Sequence, residues 1–429
     1  MDGLMTFLEK LNRICNGQKS LSIEQAREVI KEINGFLFAN NDSIGTTVAL
    51  DSEYEYFSEF HKYWEKNYKE LLDLKVDRDR CEQVADVLHE VYQKTNGRVF
   101  TELYNTNGLS KEEICQVRFL TANQDFRGSR NFKELSDIYK KNPDVFDVSV
   151  ICEKPESFLG TIKATGLSQT DKRLKYAKTI ALFLQERKTS PYELLSYYQN
   201  DVYKLREELI NCPGSGYANK KADMFIRDMV VFGVWEDVKG FDKIDVASDV
   251  NTIKIALRTG ILTSAIPLLS SFLDIFCYQY SYVDEMNAKA WRTVWEIWKD
   301  KYSDKVDSPS LLDYFVYQIV GKTFCKENLY MYKCENGHEF YGKSATRKKC
   351  IKCNKHATYL QKQEMCEADD ASIVTEEVLP EYTNCPFKPV CDKKNCKKLE
   401  PPKSISILGK TGWTTAYSRK ENGGGGLMA

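Results

Sequence analysis

Near the C-terminal end, one run of residues leaves this chain few choices. "YKCENGHEFYGKSATRKKCIKCNKHATY" carries Cys334 and His338 as one pair and Cys350 and Cys353 as a second, with eleven residues between the pairs. Two knuckles at that spacing bring four nitrogen and sulfur ligands around one tetrahedral ion. Thiolates with one imidazole suit Zn2+, and no coordination position is left for water, so the expected metal is structural. Aromatics and lysines between the pairs suit the short strands of a zinc ribbon, placed at residues 326–365.

The chain has 14 cysteines in 429 residues, many for a reducing compartment. Its start, "MDGLMTFLEKLNRIC", is amphipathic without a secretory pattern, which predicts a cytoplasmic protein with reduced thiols. Metal ligation then becomes the better use for clustered cysteines. Cys385, Cys391 and Cys396 form a second set, with Cys366 as the fourth thiol and Cys325 as its alternate. Four thiolates suit a second Zn2+ or a [4Fe-4S] cluster. Either would staple a coreless segment, residues 366–429, whose Lys393, Lys394, Lys397 and Lys398 could grip DNA. The closing "ENGGGGLMA" reads as a flexible end.

Ahead of the ribbon the chain reads as helix after helix. "SIEQAREVIKEING" offers Ser22 and Gln25 as a capping box and Gly35 as a stop; "SKEEICQVRFL" repeats the pattern with Ser110 and Glu113. "SPYELLSYY" puts a proline at the first helical position after Ser190. "SQTDKRLKYAKTIALFLQERK" sets Leu174, Ala177, Ile180, Ala181 and Leu184 on one face. The apolar run Ile261 to Tyr278 contains Pro267 and Asp274, so it reads as a buried helix pair rather than a membrane span. Residues 1–108 form an N-terminal helical region, and 109–325 a second helical domain.

"NCPGSGYANKKADMFIRDM" places a Pro-Gly-x-Gly corner between two apolar-periodic segments, with Lys220 and Lys221 opening the second. Helix starts carry partial positive charge, so cations are locally unfavourable there. Gly214 and Gly216 permit positive φ, which lets successive N–H groups converge on a phosphate, and a phosphate would offset the misplaced lysines. Downstream, in "IDVASDVNTIKIALRTGIL", Asp249 or Ser248 caps a helix that buries Ile253, Ala256, Leu257 and Gly260.

Taken together, "PGSGYANKKAD" and "SDVNTIKIALR" resemble the helix-hairpin-helix DNA glycosylase superfamily, which includes endonuclease III and 8-oxoguanine DNA glycosylase. The similarity spans about Leu109 to Asp313 and includes the upstream helix "ATGLSQTDKRLKYAKTIALFL". It implies a mainly α fold of helix-hairpin-helix type with an appended Cys-rich metal module. It places Lys220 at the family's catalytic lysine, because Ala222 stands two positions on, and Asp249 at its catalytic aspartate. Two extra residues in the hairpin, near Ala218 and Asn219, leave Lys221 as alternate nucleophile. Gly214, Gly216, Tyr217 and Lys221 would contact the DNA backbone. Asn123 and Gln124, in "FLTANQDFRGSRNF", would fill the hole left by a flipped base, and Arg127 would contact the DNA. Relatives with a four-cysteine iron–sulfur cluster after this domain use a different spacing.

The implied activity is a DNA glycosylase and abasic-site lyase acting on duplex DNA. Its substrate would be an oxidised base in repair or a modified base in phage DNA. The setting would be prokaryotic cytoplasm, on the nucleoid, with no membrane and no obligate protein partner. Residues 321–420 hold 19 Lys+Arg against 12 Asp+Glu, a balance of +7 set on an acidic remainder of −8. That asymmetry also suits a non-catalytic DNA-binding protein using hairpin and ribbon as clamps.

Overall fold

A computed structural model describes residues 22–39, 67–101, 105–125, 131–164, 169–265, 280–326, 328–346 and 349–392. It also describes the segments 47–49, 404–408, 414–419 and 425–428, and residues 6, 9, 10, 13 and 14. Helices dominate, and none among the described residues is long and apolar enough to cross a membrane. The chain divides into two compact units: Glu82–Thr252 with Trp291–Pro389, and Met1–Cys81 with Ile253–Ala290 and Val390–Ala429. Both are discontinuous, so the boundaries expected at 108, 325 and 365 do not separate them.

In the first of these units, local chemistry sets the helix ends. Ser110 and Glu113 form the expected reciprocal capping box on the helix Lys111–Ala122, which buries Ile114, Val117 and Leu120. Ser190 pairs with Glu193 in the same way, but the helix there is only Leu194–Tyr197. The upstream helix, Thr170–Arg187, buries Ala177, Ile180, Ala181 and Leu184 as its periodicity predicts, and Arg173 as well.

The hairpin joins the helices Val202–Ile210 and Asn219–Val231; the second is called the lysine helix below. Phe119, Tyr217, Phe225 and Trp235 pack ring against ring beneath it, Phe225 lying 5.3 Å from both Phe119 and Trp235. Rings of this size stabilise by roughly 1.5–3 kcal/mol each when buried. Buried ion pairs fix neighbouring helices to the lysine helix: Arg118 to Asp228 at 2.6 Å, and Arg227, itself bound to Asp228, to Asp313. Removing one partner from such a pair costs about 3–5 kcal/mol, because the other charge is left buried alone.

Asp313 leads into a π-helix, Phe315–Phe324, a geometry that is rare and concentrates at functional sites. Its Gly321 lies so close to Asn251 that an added Cβ would stand 2.8 Å from the Asn251 Cβ. Next comes the ribbon, a sheet with Asn328–Cys334 central and antiparallel to Glu339–Gly342 on one side and Ala357–Glu364 on the other. A register shift between Met331 and Tyr332 marks a bulge.

In the other unit, the helix Ile23–Ala39 carries the predicted Ser22–Gln25 cap but runs past Gly35. A helical glycine costs only about 1 kcal/mol, too little by itself to end a helix. Leu262–Thr263 pairs with Lys75–Val76 as a strand, so the apolar run opens extended rather than helical; residues 266–279 lie outside those described. The tail differs most from expectation. Ser404–Leu408, Thr414–Arg419 and Gly425–Met428 form an antiparallel meander, and Thr47–Ala49 joins it in parallel. Gly425 and Gly426 pair with Arg419 and Ser418, since a ladder needs only backbone groups.

Candidate functional site

The Pro-Gly-x-Gly corner is built as its glycines require. Gly214 and Gly216 have φ of +85° and +75°. Ser215 is buried and locks the turn, its hydroxyl donating to the Leu209 carbonyl (3.0 Å) and accepting from the Tyr217 N–H (3.1 Å). The turn rests on the upstream helix. A Cβ at Gly216 would meet the Tyr176 ring at 2.5 Å, and one at Gly214 would meet the end of the Lys175 stem at 2.7 Å.

Gly216→Ala should therefore destabilise the protein by about 2–4 kcal/mol, combining positive-φ strain with an aromatic clash. Gly214→Ala should cost less, because the Lys175 side chain can swing aside. Thermal denaturation of the two variants checks this ranking, and equal losses would contradict the packing.

The two lysines differ sharply. Lys220 is exposed, whereas Lys221 is half-buried and points back under the hairpin. Lys221 Nζ donates to the Asn123 carbonyl at 2.8 Å and lies 5.9 Å from the Tyr176 ring centroid. Burial pulls its ammonium down to about 8; Lys220, Arg173 and Lys172 push the same way, and Asp125 opposes them. The local reason is helical phase: Lys221 shares a stripe with buried Phe225 and Asp228.

Asp249 caps the helix Val250–Thr259. Its Oδ1 accepts from the N–H groups of Asn251 (2.9 Å) and Thr252 (2.8 Å), and Oδ2 accepts from the Asn251 side chain (3.2 Å). Asp249 N–H donates in turn to the Thr252 hydroxyl at 2.9 Å. A carboxylate has about four lone-pair positions, so capping does not exhaust it.

Tyr317 lies on the π-helix and feels both Asp249 and Lys220, a position that sequence reasoning missed. Burial raises its phenol above the ordinary value, Asp249 raises it further, Lys220 opposes, Asp125 adds to the rise and Arg227 opposes. Lys322 Nζ lies 4.1 Å from the centroid of the Tyr317 ring.

Other predicted contacts fall elsewhere. Asn123 and Gln124 are buried rather than presented on a loop surface. The Asn123 amide donates to the carbonyls of Ser215 (2.9 Å) and Tyr176 (3.2 Å), and the Gln124 amide to that of Arg173 (3.2 Å). Asn123 thereby joins the hairpin to the upstream helix, and Gln124 is bound to that helix. Tyr217 is buried too, its hydroxyl donating to the Phe119 carbonyl at 2.6 Å. Arg127 lies outside the described residues. Tyr176 and Arg173 had a signal, since both lie in the quoted upstream helix.

The ribbon brings its four predicted ligands together. The ligand atoms of Cys334, His338, Cys350 and Cys353 all lie within 4.8 Å of one another and could hold a metal ion. Cys334 and Cys353 sulfurs are 3.7 Å apart, and Cys350 Sγ is 3.9 Å from His338 Nδ1. Tetrahedral Zn–S bonds of about 2.3 Å require a ligand edge of roughly 3.8 Å, so the set fits zinc. Burial opposes ionisation of Cys350, but the N–H groups of Lys352 and Cys353 and the His338 ring pull it down to about 6. The Cys353 thiol is raised beside Cys350 and Cys334. The described residues yield no second group of candidate ligands: Cys325, Cys366 and Cys385 belong to one unit, Cys391 to the other, and Cys396 lies outside those described.

Comparison with protein-family models, with curated proteins and with solved structures returned no match, so no family is assigned to this chain.

Proposed function

We propose that the protein is a DNA glycosylase with abasic-site lyase activity, with Lys221 as nucleophile and Asp249 as the assisting carboxylate. One observation carries the reading: a half-buried lysine amine titrating near 8 stands at a helix start beside a phosphate-type glycine hairpin. An amine nucleophile must be unprotonated, and burial with neighbouring cations is how proteins achieve that near neutrality.

In the proposed reaction a nucleotide is turned out of the stack, at a cost of a few kcal/mol. Positive charge develops on C1′ as the C1′–N bond to the base lengthens, and Asp249 stabilises it. Lys221 Nζ forms the new bond to C1′, and the base leaves and takes up a proton. Ring opening gives a Schiff base, and loss of a C2′ proton expels the 3′ phosphate. The hairpin would hold the backbone, and Zn2+ in the ribbon would be structural.

A second reading, the non-catalytic DNA clamp, is favoured by the engagement of both Asp249 oxygens in capping. Base release from duplexes carrying oxidised or otherwise modified bases, read by mass spectrometry, separates the two. Asn caps as well as Asp, so Asp249→Asn should leave stability within about 0.5 kcal/mol while lowering release on the order of a hundredfold. Binding without release by the wild-type protein across the panel would favour the clamp.

A further inference from the structure

Among the described residues, six large apolar side chains stand exposed, and three of them lie within ten positions of one another in the ribbon: Ile351, Tyr359 and Leu360. Their exposures are 52%, 43% and 46%. Ile351 is in the Cys350–Cys353 knuckle, while Tyr359 and Leu360 lie on Ala357–Glu364, an edge strand of the ribbon sheet. Tyr359 is braced from behind, its ring 6.0 Å from that of Tyr332 and 6.2 Å from that of Tyr330.

Residues 328–365 carry 8 Lys+Arg against 3 Asp+Glu, a balance of +5. Lys333 and Lys343 are neutralised by Glu339 and Glu377. Lys349, Lys352, Lys355 and Lys362 are exposed and make no salt bridge among the described residues, although Lys352 helps hold the Asp370 carboxyl below its usual range. A braced, exposed ring on a strand edge of a lysine-rich ribbon suits unstacked bases on the aromatic and phosphates on the lysines.

We propose that this edge of the ribbon is a binding surface for single-stranded nucleic acid, with Tyr359 stacking on a base and Lys352 and Lys355 meeting phosphates. A duplex hides its base faces and fits the surface poorly. The inference goes beyond the proposed activity and stands whether or not Lys221 reacts.

The test is fluorescence anisotropy of a labelled oligothymidylate with the full chain, metal content being checked in every variant. Tyr359→Ala should weaken binding roughly tenfold, and Tyr359→Phe should restore it, because stacking needs the ring and not the hydroxyl. Lys352→Ala with Lys355→Ala should flatten the salt dependence by about 1.4 log units per log unit of salt, the share of two phosphates. Unchanged affinity in Tyr359→Ala would overturn the proposal. So would a self-associating chain whose dimer, and not its oligonucleotide binding, is lost in that variant.

Discussion

Lys221→Ala should abolish strand cleavage at an abasic site, with a fall on the order of a thousandfold or more, as expected when a nucleophile is deleted. Lys220→Ala should keep most of the activity. The contrast follows from environment: one amine is half-buried under the hairpin and pulled down to about 8, the other is exposed. At pH 7 a lysine titrating near 8 is roughly one-tenth neutral, whereas an ordinary one is neutral in fewer than about one molecule in a thousand. Cleavage should therefore rise with pH through a limb centred near 8. Lys220 is one of the cations depressing Lys221, so Lys220→Ala should move that limb to higher pH.

Stability supplies the folding control. The folded-state value of Lys221 lies below its unfolded value, so its protonation penalises the fold below about pH 8, and the penalty is relieved as pH rises from there toward 10.5. Lys221→Met removes the penalty and should not melt earlier than wild type at pH 7. Inactivity in Lys221→Met would then be chemical rather than structural.

The second large effect concerns the ribbon. Its apolar centre is small: Tyr332, Cys334, Phe340, Cys350 and Ala357, with Tyr330 and Cys353 against them. A sheet that short cannot offset the entropy of ordering its own chain, and structural zinc contributes about 10–16 kcal/mol in comparable peptides. Chelation, or Cys350→Ser with Cys353→Ser, should unfold residues 328–364 and open them to proteolysis. The helices around the hairpin should keep their far-ultraviolet signal. Metal analysis should return one zinc per chain, lost on chelation. A ribbon still protected from protease without metal would contradict this account of what holds it.

Much of this was legible in the sequence where the determining interactions are local. Ser110 and Glu113 announce a helix start three residues apart, and the knuckle spacing announces its metal quartet. The roles of Asn123 and Gln124 were not legible, because their burial depends on a hairpin about ninety residues further on. Tyr317 carries no sequence mark: its position follows from a π-helix and from the close approach that Gly321 allows. The burial of Lys221 rather than Lys220 was partly readable, since only Lys221 falls in phase with Phe225. Two of the four tail glycines, Gly425 and Gly426, lie in a strand ladder that the sequence does not announce, because a ladder uses only backbone groups.

One experiment reaches the nucleophile itself. The wild-type protein is incubated with an abasic duplex under borohydride, and the reduced adduct is digested and mapped by mass spectrometry. The sugar remnant is predicted on Lys221. A remnant on Lys220, or no adduct at all on a protein that binds the duplex, would contradict the assignment.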